Sequence, residues 1–218
     1  MCISVVEKPR QQSLAEEIAN SISHGIGLIA ALVGAPYLIT QAARYENGGF
    51  IVATTIFCAT IITLYLFSTL YHALPTGKAK RVFRVIEHSA IFLLIAGTYT
   101  PFALGALHGP WGWWLFGVIW GLALIGITLK MFYLASRPLL FTSLYLLMGW
   151  VAVIAVKPFL AEVPRTGLWL LFAGGLFYTI GVAFFATDSR LKYGHFIWHL
   201  FVMAGTLCHY FAVLWYAT

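Results

Sequence analysis

The chain has 218 residues, 61% of them hydrophobic and 9% charged, with a net charge of +6 and a mean hydropathy of +0.88. Soluble domains carry roughly 25% charged residues, so this composition excludes an ordinary soluble enzyme and indicates an integral membrane protein. The positive balance is no nucleic-acid footprint, because basic residues in such a chain mostly report orientation. The three cysteines, Cys2, Cys58 and Cys208, imply no disulfide framework.

In chain order, a short polar segment, 1–21, comes first. Within it Ser13-Leu-Ala-Glu16 is a capping box, which predicts a helix starting near Ser13. On that helix Glu17, Asn20 and His24 share one face. Two readings fit that face, a solvated turn beside the membrane and a polar surface turned into the bundle. Seven apolar runs follow, at roughly 22–43, 50–73, 86–107, 111–130, 139–157, 167–186 and 194–216. Each is about long enough to cross the hydrocarbon as a helix. The first is followed by further spans and so reads as a membrane helix rather than a cleaved signal peptide. The runs are continuous rather than alternating, which argues against a strand barrel. The expected fold is all-α, a polytopic bundle of seven transmembrane helices forming a single membrane domain, 1–218.

An odd number of spans puts the termini on opposite sides. The N-terminal segment and the loops after spans two, four and six hold ten basic residues: Lys8, Arg10, Lys78, Lys80, Arg81, Arg84, Lys130, Arg137, Arg190 and Lys192. The other side holds three, Arg44, Lys157 and Arg165. This asymmetry predicts a cytoplasmic N-terminus and an external C-terminus.

Polar side chains inside spans mark function more often than packing, and here their depth agrees. His24 opens span one, Ser68 and His72 close span two, Glu87 and His88 open span three, and His195 and His199 open span seven. All lie at the cytoplasmic level. His195 and His199 are four apart, so one helical face carries both rings and they can share an ion. His72 is at the right depth to be a third ligand, the number a catalytic zinc uses. Ser68, one turn deeper, can bond a bound water. Glu87 can accept that water's proton or orient a histidine.

The remaining histidines read differently. His88 is adjacent to Glu87 and therefore about 100° away around the helix, which makes it a helix-end residue or an outer support of the site. His108 lies in a Trp-rich interfacial loop. His209 is fourteen residues beyond His195, about 21 Å along the axis, and cannot join the same ion. Packing is its simplest role. A two-haem reading pairs His195 and His209 with partners on another helix, but needs His108 as an outer ligand and leaves Ser68 and the His195/His199 pair without a purpose.

Four stretches taken together resemble the haemolysin III family, the bacterial branch of the progestin and adipoQ receptor group. They are Glu17-Ile-Ala-Asn20-Ser-Ile-Ser-His24-Gly, Ser68-Thr-Leu-Tyr-His72, Glu87-His-Ser-Ala-Ile-Phe-Leu-Leu-Ile-Ala-Gly-Thr-Tyr-Thr-Pro-Phe102 and His195-Phe-Ile-Trp-His199. The resemblance spans nearly the whole chain. It implies a seven-helix bundle in a bacterial inner membrane with zinc near the cytoplasmic face, held by His72, His195 and His199. Ser68 would steady the bound water. Glu17, Asn20, His24 and His88 are, by their positions, candidate outer supports of the site. The animal receptors have Asp at the position of Glu87, and the extra methylene lets Glu87 reach either the water or the ion itself. Alkaline ceramidases are distant relations, so the resemblance implies a hydrolase of membrane lipid amides or esters, with Glu87 and Ser68 as catalytic residues. A non-enzymatic membrane sensor with a structural zinc and a pore-forming haemolysin are the alternatives.

Overall fold

In the computed structural model, residues 10–107, 109–132 and 138–218 are described, with the side chains of 138 and 139 left aside. The Trp-flanked His108, Lys8 and Arg137 lie outside them. Among the described residues every regular element is helical. The helices are α1 (Leu14–Ala43), α2 (Gly48–Ala73), α3 (Lys78–Pro101), α4 (Gly109–Phe132), α5 (Pro138–Gly149), α6 (Val156–Glu162), α7 (Arg165–Thr187) and α8 (Gly194–Tyr216). A π-helical turn, Phe102–Ala106, extends α3 beyond Pro101.

Helix α1 begins where its capping box predicts. The Ser13 side chain accepts from the backbone of Glu16, and the Glu16 side chain returns the bond to Ser13. The face carrying Asn20 and His24 is buried, with Asn20 at 0% and His24 at 2% exposure. Of the two readings of that face, the one turned into the bundle holds. Opposite it, Ile18, Ile22, Ile26, Ile29 and Val33 are exposed, the apolar stripe that a lipid-facing helix presents.

Six helices are long and apolar enough to cross a membrane, and a seventh span exists if the bent pair α5 and α6 is counted as one. That pair departs from the continuous run expected at 139–157. The two pieces are bent by 53°, joined by a 3-10 turn, Val151–Val153. Two causes are visible. Pro158 in α6 has no N–H to give to the carbonyl four residues back. The Tyr99 hydroxyl enters the gap, donating to the Gly149 carbonyl at 2.7 Å and accepting from the Ala152 amide at 3.0 Å. A side chain that satisfies freed backbone groups stabilises the kink it occupies.

Packing joins α1 to α2 and α8, α2 to α3, α3 to α4, and α7 to α8, with α5 lying against α3, α4 and α7. Helix α4 approaches α3 closely at Gly126, where any Cβ would collide with the Phe92 ring. The core is aromatic and aliphatic, centred on residues such as Phe57, Phe92, Phe102, Leu115 and Ile119. Buried polar residues are concentrated at the end of the bundle where α1, α3 and α8 begin and α2 ends.

Candidate metal centre

Four helices deliver the polar layer. Helix α1 brings Glu17, Asn20, Ser23 and His24 in its first three turns. The last turns of α2 carry Ser68 and His72, and α2 stops at Leu74, ahead of Pro75. Glu87 sits on α3, and His195 and His199 occupy the first two turns of α8. His72, Glu87, His195 and His199 are all buried, and one ligand-type atom from each lies within 4.8 Å of the others. The depth agreement read from the sequence is therefore a real meeting of side chains.

The hydrogen bonds assign the imidazole protons. His72 Nδ1 lies 2.7 Å from Glu17 Oε2, and His195 Nδ1 lies 2.9 Å from Asp188 Oδ2. A carboxylate only accepts, so both Nδ1 atoms carry the hydrogen. His199 Nδ1 faces the Asn20 carbonyl at 3.2 Å and Ser23 Oγ at 3.0 Å. Ser23 spends its own hydrogen on the Asn20 carbonyl at 2.8 Å, so His199 must also donate. Each ring is thus left with a lone pair on Nε2. All three Nε2 atoms are buried and have no hydrogen-bond partner, and Glu87 Oε2 is in the same condition. Leaving one buried acceptor unsatisfied costs about 1–3 kcal/mol. Four such atoms gathered in one place fit a cation far better than they fit packing. The ring proton held by a carboxylate or carbonyl is the usual support of a metal-ligating histidine.

Around this cluster lies a chain of supports. Glu17, which holds His72, is itself paired to Lys80 at 2.9 Å. Asn20 is tied to Gln12 by a bond of 2.6 Å. Ser68 Oγ donates to Glu87 Oε1 at 3.0 Å and lies 2.7 Å from His24 Nδ1. With its hydrogen committed to the carboxylate, Ser68 accepts from His24. The His24 ring stacks on His199 with centroids 3.5 Å apart and planes within 6°, a contact that spacing along the chain does not show. His88 contributes less. Its Nε2 is 3.6 Å from Glu87 Oε2, beyond hydrogen-bond distance.

Two direct supports of the imidazoles were not singled out from the sequence. Asp188 caps the end of α7 and orients His195, and its place in a loop between apolar runs does not mark it as a support. Ser23 lies three residues beyond Asn20 and next to His24, within the face already recognised.

His209 stands apart. Its Nε2 donates to the Leu171 carbonyl at 3.2 Å, and its ring rests where Gly174 leaves no room for a Cβ. Between it and the cluster runs a cavity of about 270 Å³, lined by His24 and Glu87 and otherwise mainly by apolar residues such as Ile91, Leu94, Phe102 and Phe159.

The family profile described as Haemolysin-III related matches residues 12–210. Hemolysin-3 of Bacillus cereus is 43% identical over 205 residues, 94% of this chain and 93% of that protein. A Hemolysin-3 homolog of Bacillus subtilis (strain 168) is 45% identical over 204 residues, 94% of this chain and 95% of the relative. The human Monocyte to macrophage differentiation factor is 28% identical over 208 residues, covering 91% and 83% of the two chains. No solved structure matches. With its helical membrane architecture and a profile match that encloses all four polar stretches, the chain belongs to the haemolysin III family.

Proposed function

We propose that this protein is a multi-pass component of a bacterial plasma (inner) membrane that binds zinc through His72, His195 and His199 and hydrolyses a membrane lipid amide or ester. The side carrying the N-terminus is the cytoplasmic one, as the basic residues imply, and all seven spans belong to one membrane domain. The observation that carries the reading is the convergence of three buried imidazole lone pairs beside the polar end of an apolar cavity. Three imidazoles suit zinc, and His ligands without cysteine suit a catalytic rather than a closed structural site.

A zinc ion bound there supplies Lewis acidity toward a carbonyl oxygen and makes water more acidic. The protein's own groups do the rest. The apolar cavity takes the acyl chain and excludes water from it. Glu87 accepts the proton of the attacking water and returns it to the departing amine or alkoxide. Ser68, donating to Glu87 Oε1 and accepting from His24, keeps the carboxylate from turning away. The test is release of a fatty acid from a bacterial membrane lipid extract by zinc-loaded protein. Release that stops when zinc is chelated supports the reading, and no release at any zinc loading defeats it.

One observation favours a second reading. The Glu87 carboxylate belongs to the same 4.8 Å group as the imidazoles, so it can act as a fourth ligand. A closed four-ligand zinc would join α2, α3 and α8 as a structural element of a non-enzymatic membrane sensor.

A further inference from the structure

The capping box at the start of α1 carries more than a helix start requires. Such a box needs the exchange between the Ser and Glu side chains and backbones. Here the Glu16 carboxylate, 3% exposed, also accepts from the Tyr193 amide at 2.8 Å and from Ser13 Oγ at 2.8 Å. It receives both arms of the Arg10 guanidinium, each at 2.7 Å. Arg10 Nη2 reaches further, donating to the carbonyls of Asp188 at 3.3 Å and Leu191 at 3.2 Å. Residues 10 and 16 thus grip the turn between α7 and α8 at three backbone points.

That turn is where the aim of His195 is decided. Asp188 holds the His195 ring through Nδ1 at 2.9 Å. Tyr193, in the left-handed region at φ 59°, is the residue from which α8 departs. Displacing the turn would move the carboxylate that orients the ring. Isolated exposed ion pairs contribute little, but this one is two-armed, its carboxylate is buried, and the guanidinium serves two carbonyls as well. Lysine cannot reproduce that fork.

We propose that Arg10 and Glu16 are positioning residues for the metal centre, holding the α7–α8 turn so that Asp188 keeps His195 Nε2 directed at the ion. The inference rests on the metal reading above. If the clasp only fastened α1 to the turn, its loss would lower stability and leave metal affinity alone.

The test is the zinc affinity of the full chain in detergent, by competition with a chromophoric chelator, alongside thermal melts. Wild type is compared with Arg10→Ala, Arg10→Lys, Asp188→Asn and the Arg10→Ala/Asp188→Asn double variant. Arg10→Ala is expected to weaken zinc binding about tenfold, the lower end for an outer support of a ligand, and Arg10→Lys to do the same. The double variant should bind no more weakly than Asp188→Asn alone, because both changes act through one carboxylate. Wild-type affinity in Arg10→Ala despite a lower Tm overturns the proposal, as do additive losses of affinity in the double variant. Should Arg10→Ala fail to fold, Arg10→Lys, which keeps the charge, decides on the same criterion. A wild type that binds no zinc removes the metal reading and this proposal together, and is distinguished by every variant being equally blank.

Discussion

The two ends of α8 each carry buried histidine, and the difference between them is instructive. At the start of the helix, His195 and His199 have their Nδ1 hydrogens held by groups from elsewhere in the fold, and their Nε2 lone pairs meet those of His72 and the carboxylate of Glu87. Ten residues further on, His209 donates through Nε2 to a carbonyl of α7 and fits against a glycine. Its remaining lone pair on Nδ1 is buried without a partner too. Yet among the described residues no second group of ligand-type side chains gathers around it. Burial and an orphaned nitrogen therefore do not make a histidine a ligand. What separates the two ends is convergence, several lone pairs aimed at one point with every opposite nitrogen held in place.

That comparison can be broken by substitution, starting with the largest effect. His199→Ala removes a lone pair and the ring on which His24 stacks, and metal analysis of the purified protein should fall from about one zinc per chain to background. Glu87→Gln comes next, since loss of a general base costs roughly 10²–10⁴-fold in rate. Lipid release should drop by that factor with zinc retained. Loss of zinc in this variant would instead support the four-ligand structural reading. Glu17→Gln, which loosens His72 without touching a ligand, should weaken zinc about 10–100-fold in chelator competition. The same change at Glu162, remote from the site and its supports, should leave affinity alone.

Away from the site, Tyr99→Phe strands the Gly149 carbonyl and the Ala152 amide in the break between α5 and α6. It should cost about 1–3 kcal/mol in an unfolding titration and change zinc content not at all. The smallest effect belongs to His209→Gln, which retains a donor for Leu171. Stability should change by about 1 kcal/mol or less, with zinc binding as in the wild type. Zinc loss there would erase the distinction between the two ends of α8.

Much of this was legible in the sequence because depth in a membrane is a one-dimensional coordinate. Counting residues from the span ends was enough to put Ser68, His72, Glu87, His195 and His199 at one level, and the four-residue step in α8 put two rings on one face. The start of α1 was legible for a local reason, the reciprocal bonds of Ser13 and Glu16. What stayed hidden depends on rotation and on distant partners. Nothing in the hydropathy of residues 139–157 reveals that Tyr99, on another helix, enters their backbone. Asp188 reads as loop punctuation until α7 and α8 are seen to pack and bring it under His195. The stack of His24 on His199 needs the relative rotation of α1 and α8, which a count of residues along either helix does not supply. The same holds for Arg10, whose carbonyl partners lie across the molecule on the turn before α8.

The central claim is that three imidazole nitrogens share one ion, and X-ray absorption at the zinc edge of the loaded, full-length protein addresses it directly. The account predicts three histidine nitrogens at about 2.0–2.1 Å with the remaining position filled by oxygen, and an unchanged spectrum for His209→Gln. A first shell with fewer than three imidazoles, with sulfur, or altered by the change at His209 would contradict it.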